Sequence, residues 1–209
     1  MTGKTSKSDA RREEILVAAA ACFSEKGLKG ASVGDICTRL GISPGHLYYY
    51  FKSKDAIVLA LLDRVRARAI EDIDKTAAGE DPLGHILNGD YLANAVVRQQ
   101  GEIDTATMWE VYAEAVRSPA VSAKNHQHWR ETSAAVRRLV VSEQARGRIR
   151  ADADLDLFMT LLSMFIVTTS LAVFSDPDFD ADRYRKAGLA MLAPFLESTA
   201  ISKPRRRRA

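Results

Sequence analysis

None of the nucleophilic, acidic or basic side chains among the 209 residues is spaced as a recognisable catalytic constellation. The chain holds no GxSxG elbow, HExxH pair or phosphate-cradling glycine loop, and no carboxylate pair stands in apolar surroundings. His126 and His128 are two apart, so on a helix they diverge by about 200° and cannot chelate one ion. Cys22 and Cys37 lie in apolar helical patterns outside any CxxC spacing and read as buried thiols of a reducing cytoplasm. These patterns predict no catalysis, no metal and no cofactor. Binding chemistry is concentrated instead in GISPGHLYYYFKSKDA, residues 41–56, with one imidazole, three consecutive phenols and two lysines. Consecutive residues never share a helical face, so Tyr48, Tyr49, Tyr50 and Phe51 cannot all be core.

The elements that must position these side chains are helical, because three-four apolar spacing recurs from end to end and period-two alternation is nearly absent. Ile15, Ala18, Ala19, Cys22 and Phe23 form the stripe of a first helix that stops at Gly27. Ser32 and Asp35 have capping-box spacing ahead of Val33, Ile36, Cys37 and Leu40, and Gly41 ends that short helix. Ser43 as N-cap and Pro44 at the first helical position start a third, about two turns long. A longer helix follows from Ser53 through Ile57, Leu61 and Val65. Two short helices joined by a three-residue turn between longer ones have the spacing of a helix-turn-helix, whose second helix enters the DNA major groove.

Within that second helix Leu47, with Tyr50 or Phe51, can face the core. Gly45 permits close backbone approach at the helix start. His46 and Tyr49, three apart, can meet base edges and a thymine methyl. Tyr48 and Tyr50 can reach phosphates on either side, and Lys54 can join them from the first turn of the next helix. Charge fits this placement. The nine Lys and Arg and five Asp and Glu of residues 1–54 give +4, and residues 203–208 add +5 within a chain of net charge +3, so the body between is acidic.

The segments ILVAAAACFSEKG, SVGDICTRLGIS and PGHLYYYFKSKDAI resemble the DNA-binding domain of the TetR family of bacterial repressors. The resemblance implies backbone contacts from Ser32, Ser43, Tyr48, Tyr50 and Lys54, and base-facing positions at Pro44, Gly45, His46 and Tyr49. Pro44 departs from the family pattern, where a basic residue is common, and Tyr50 stands where histidine is frequent. MWEVYAEAVRSPAV, residues 108–121, is similar to the effector domains of several members. The implied fold is all-α: a flexible basic arm (1–8), a three-helix DNA-binding domain (9–54), a larger helical effector-binding and dimerisation domain (55–202) and a disordered basic tail (203–209).

Later helices are expected at 82–99, 105–117, 119–147, 155–174 and 180–197, with Pro194 as a possible early stop for the last. In 105–117, Trp109, Tyr112, Ala113 and Val116 share a face expected to point inward, opposite solvated Glu110, Glu114 and Arg117. His128, Trp129, Thr132 and Val136 are expected to turn inward on the next helix. Trp109, Tyr112, His128, Trp129 and Thr132 are therefore the candidate effector residues, although aromatic stripes at this spacing also serve ordinary packing. Residues 157–174 carry no charge, long enough to span a bilayer, yet hydroxyl residues within and aspartates at both ends favour burial in protein. By the resemblance this helix and 180–197 form the homodimer contact. The expected protein is a cytoplasmic, non-membrane dimer that represses from a palindromic operator on double-stranded DNA until an unknown small molecule releases it. The alternative is a constitutive architectural DNA-binding protein with no effector.

Overall fold

A computed structural model describes residues 7–87 and 104–197. Nine α-helices occur among them: α1 (Lys7–Gly30), α2 (Val33–Leu40), α3 (Pro44–Tyr50), α4 (Lys54–Ala77), α5 (Pro82–Leu87), α6 (Thr105–Ala115), α7 (Pro119–Ala145), α8 (Leu155–Ser175) and α9 (Ala181–Leu192). Among the described residues there is no strand; Ile149 and Leu196 form an isolated antiparallel bridge. The all-α expectation holds. Residues 1–6 of the arm expected at 1–8, the tail at 203–209 and the segment expected to prolong α5 to residue 99 lie outside the described residues, while Lys7 and Ser8 belong to α1.

The chain divides into two compact units, the first running to Ala69 and including α6 and α7 as far as Glu131, the second comprising the remainder from Ile70 and from Thr132. In the first unit, Ile15, Ala18, Ala19, Cys22 and Phe23 are all buried, as their stripe predicts. They pack with Ile36, Cys37, Leu47, Phe51, Ile57 and Leu61. α1 leaves helical geometry at Gly27 (φ 74°, ψ 162°), where the sequence places its stop, and continues for one further turn.

The second unit is centred on Phe158, Leu162, Leu139, Val140, Ile149 and Leu192. Glu143 is fully buried within it, its carboxylate facing Arg146 and Arg148. α9 ends at Leu192 and passes into a 3-10 turn, Ala193–Phe195, because Pro194 has no N–H to continue the ladder. Arg150 N–H then donates to Phe195 O (2.9 Å) and Glu197 N–H to Arg148 O (3.0 Å), fastening the end of this segment to the turn after α7. α8 and α9 approach closely: a Cβ on Gly188 would stand 2.6 Å from the Phe165 ring.

Two inward-facing expectations are corrected. The buried face of α6 carries Thr107 and Val111, with Met108 partly buried, whereas Val116 is 86% exposed and Tyr112 is open at its edge. On α7, Val121, Ala135 and Leu139 are buried and Trp129 is 55% exposed. Nearly every residue of TATMWEVYAEA is apolar or small, so two faces satisfy the same period and burial of Val111 against the first core decides between them.

Candidate nucleic-acid interface

Local capping builds the helix-turn-helix. Ser32 Oγ accepts from Asp35 N–H (3.1 Å) while the Asp35 carboxylate accepts from Ser32 N–H (2.7 Å) and Ser32 O–H (2.6 Å), a complete capping box at the start of α2. Lys26 forms an ion pair with the same carboxylate. That pairing first, and Ser32 second, hold the Asp35 carboxyl far below the usual range. Gly41 closes α2 in the left-handed region (φ 63°), a conformation glycine adopts without a Cβ clash. Ser43 Oγ then accepts from His46 N–H (3.2 Å), and Pro44 occupies the first turn of α3.

Leu47 and Phe51 are buried and anchor α3, which settles the choice between Tyr50 and Phe51 in favour of Phe51. Arg12 covers the Phe51 ring with its guanidinium 4.7 Å from the centroid. The remaining face is open: Ser43, Pro44, Gly45 and His46 are exposed, Tyr48 is 43% and Tyr49 73% exposed. Tyr50 is half-buried and organises this face, stacking with His46 (centroids 5.7 Å, 27°) and meeting Tyr49 edge-on (5.0 Å, 84°). The three tyrosines thus divide into one support and two outward rings.

Lys54 has an internal partner that its sequence position does not disclose. Its ammonium donates to Ala31 O (2.7 Å) and lies 5.7 Å from the Phe23 ring centroid, so it ties α4 to the turn before α2. Ser32 is likewise engaged with Asp35. Lys52, absent from the expected set, is exposed and donates to Tyr48 O (3.2 Å), closing the end of α3. The signal for it was a cation two residues past the last tyrosine, where free helix carbonyls lie.

The candidate effector residues occupy α6 and α7. Trp109 and Tyr112 pair edge-to-face (5.5 Å, 73°). Trp109 Nε1, His128 Nδ1 and Thr132 Oγ1 are each buried without a hydrogen-bond partner among the described residues. Burial raises the Tyr112 phenol. A shallow apolar cleft in the second unit lies elsewhere, lined by Ile73, Thr76, Ile86, Val136, Leu139, Leu162 and Ile166, none of them a candidate. Thr76 is its one polar lining residue.

Burial, and secondarily the Arg66 charge, lower the His128 pKa, against weaker opposing effects of Glu131 and Asp63. The folded protein therefore takes up this proton less readily than the unfolded chain, and stability falls as pH drops below about 6.5. His128→Gln is expected to flatten that part of the stability profile. Urea titrations between pH 7.5 and 5.5 check this, and an unchanged slope would assign the pH response to other groups.

Residues 15–61 match the family model described as bacterial regulatory proteins, tetR family. Over 193 residues the chain is 31% identical to the HTH-type transcriptional regulator UidR of Escherichia coli K12, covering 91% of this chain and 92% of that one. Among solved structures it resembles GusR of Salmonella enterica (TM-score 0.74, 24% identity, 91% of this chain and all of that one). It also resembles a transcriptional regulator from Saccharomonospora viridis in complex with choline (TM-score 0.75, 21% identity, 90% and 98%).

Proposed function

Because the chain belongs to the TetR family and is a DNA-binding transcription regulator rather than an enzyme, we propose that it is a homodimeric repressor released from a palindromic operator by a small molecule. The open face of α3, held rigid by Leu47 and Phe51 and led by Tyr49 at 73% exposure, carries the reading. His46 and Tyr49, beside Pro44 and Gly45, read bases in the major groove. Ser43, Tyr48 and Tyr50 fix the helix on the sugar-phosphate backbone. Ser32 and Lys54 lend backbone contacts only with whatever donor capacity remains beyond Asp35 and Ala31 O.

Dimerisation uses α8 and α9. Leu157, Met164, Val167 and Leu171 are exposed along α8 at helical spacing, a stripe of the kind that a second copy covers. α8 is also long and apolar enough to cross a membrane, but Phe158, Leu162 and Phe165 on its other face pack into protein. A partner helix, and not lipid, is the covering we assign. The protein then works in the cytoplasm, on the chromosome.

The effector engages Trp109, Tyr112, His128, Trp129 and Thr132, a set with aromatic faces and three unmatched polar atoms. The Saccharomonospora regulator's choline is one example of a small ligand held by this fold. Release follows if the ligand prefers a dimer whose α3 helices are mis-spaced for successive major grooves.

Selection of bound duplexes from a random pool tests the reading, with the expected product an inverted repeat. Tyr49→Ala should then relax discrimination at particular base pairs by about 1 to 3 kcal/mol. Equal weakening on every sequence would instead make Tyr49 a backbone contact.

A further inference from the structure

Gly27 interrupts α1 and the helical turn that resumes beyond it, with Ala31 N–H donating to Gly27 O (3.1 Å), begins with an amide that has no carbonyl behind it. Leu28 N–H donates to the Glu110 carboxylate of α6, 82 residues further along the chain. Glu110 was expected to be solvated. A Cβ at position 27 would lie 3.1 Å from Glu110 Oε1 and press on this carboxylate, while the positive φ (74°) itself favours glycine there. An anion at the start of a helical turn is favourably placed for both its free amide and its dipole.

Three residues on, the same connector is held from its other side. Ala31 O accepts from Lys54 Nζ (2.7 Å), one residue before Ser32 caps α2. The link from α1 to the helix-turn-helix, Leu28 to Ala31, is thus bound through an amide to α6 and through a carbonyl to α4. Neither contact is made by the apolar side chains that pack α1, α2 and α3 together. The same core also takes in Ile57 and Leu61 of α4 and Val111 of α6, so these two polar contacts add direction to a packing that already joins α1, α4 and α6.

We propose that Glu110 is a positioning residue for DNA recognition: by holding Leu28 N–H it sets the attitude of the helix-turn-helix on α6, and in a dimer the separation of the two α3 helices. The assignment rests on the dimeric operator reading given above. Glu110 lies beside Trp109 and two residues before Tyr112, so a shift of α6 reaches the connector through one hydrogen bond. Glu110 is exposed, so its carboxylate is rehydrated if α6 withdraws. Leu28 itself is buried, so opening the bond costs the pairing of its amide while the carboxylate returns to water.

The test uses the full chain and duplexes bearing two selected half-sites with spacers that differ by one base pair. Wild-type protein should prefer one spacer. Glu110→Ala should keep the half-site sequence but lose about tenfold of that preference, the loss expected for a hydrogen bond to a charged group. Glu110→Gln, which retains an acceptor oxygen, should recover most of it. A purely stabilising side chain would weaken all spacers alike, and an unchanged spacer preference in folded Glu110→Ala overturns the proposal. If Glu110→Ala does not fold by circular dichroism, Glu110→Asp, too short to reach, is read by the same criteria. If wild-type protein selects no paired half-sites, the operator reading has failed; hydrogen exchange at Leu28 then decides the contact, slow exchange in wild type supporting it and exchange at the solvent rate refuting it.

Discussion

Met164→Glu is expected to yield a folded monomer whose affinity for a two-half-site operator is lower by about a hundredfold or more. Met164 is 59% exposed at the middle of the stripe formed by Leu157, Met164, Val167 and Leu171. Among the described residues this side chain is left mostly open, whereas Phe158, Leu162 and Phe165 on the other side of α8 are buried. The helix is equipped to be covered. Thr160, Ser163, Thr169 and Ser170 each donate to the carbonyl four residues earlier at 2.7 to 2.8 Å, so its hydroxyls ask little of a partner. A two-fold contact places each substitution twice, and two carboxylates would have to leave water in an apolar interface. The separated subunits would each read half a site and forfeit the effective concentration that links the halves. Sedimentation equilibrium and fluorescence anisotropy with labelled operator measure both effects. An unchanged mass would move the interface off α8.

Glu143→Ala should cost about 3 kcal/mol, near the low end for breaking a buried ion pair because both arginines retain some water. Glu143 is fully buried; its Oε1 accepts from Arg146 Nη1 (3.1 Å) and Arg148 Nη2 (3.4 Å). Oε2 stands 2.8 Å from Arg148 Nε, close enough for charge attraction but without hydrogen-bond geometry. Arg148 also donates to Glu80 O (2.8 Å), so the carboxylate orients a side chain that reaches the turn before α5. Its removal leaves Arg148 partly buried beside a cavity. A drop of roughly 6 to 12 °C in melting temperature is expected for a chain of this size. Glu143→Gln, which keeps shape and one acceptor, should lose less. Equal melting temperatures for the wild-type and Ala proteins would mean that the arginines find water at no cost.

The helix-turn-helix was legible because its determinants are local. Ser32 with Asp35, Gly41, and Ser43 with Pro44 act within a few residues of themselves, and each takes the part its spacing predicts. Pro194 was legible for the same reason. The orientation of α6 was not. Trp109, Tyr112 and Val116 satisfy the helical period as well as Thr107 and Val111 do, and only packing against a distant part of the chain selects between the two faces. Lys54 and Glu110 illustrate the same limit for polar groups. Their partners, Ala31 O and Leu28 N–H, are backbone atoms 23 and 82 residues away, and a backbone atom leaves no mark in the amino-acid alphabet.

The close approach of α8 and α9 also constrains the order in which this sequence can drift. A Cβ at position 188 would fall 2.6 Å from the Phe165 ring, so almost any replacement of Gly188 meets that ring before it meets selection on function. Shrinking Phe165 first opens the space but leaves a void that itself destabilises the unit. The two positions therefore form a small evolutionary ratchet: neither step is easy alone, and lineages that leave this pairing must pass through a less stable ancestor or change both residues together.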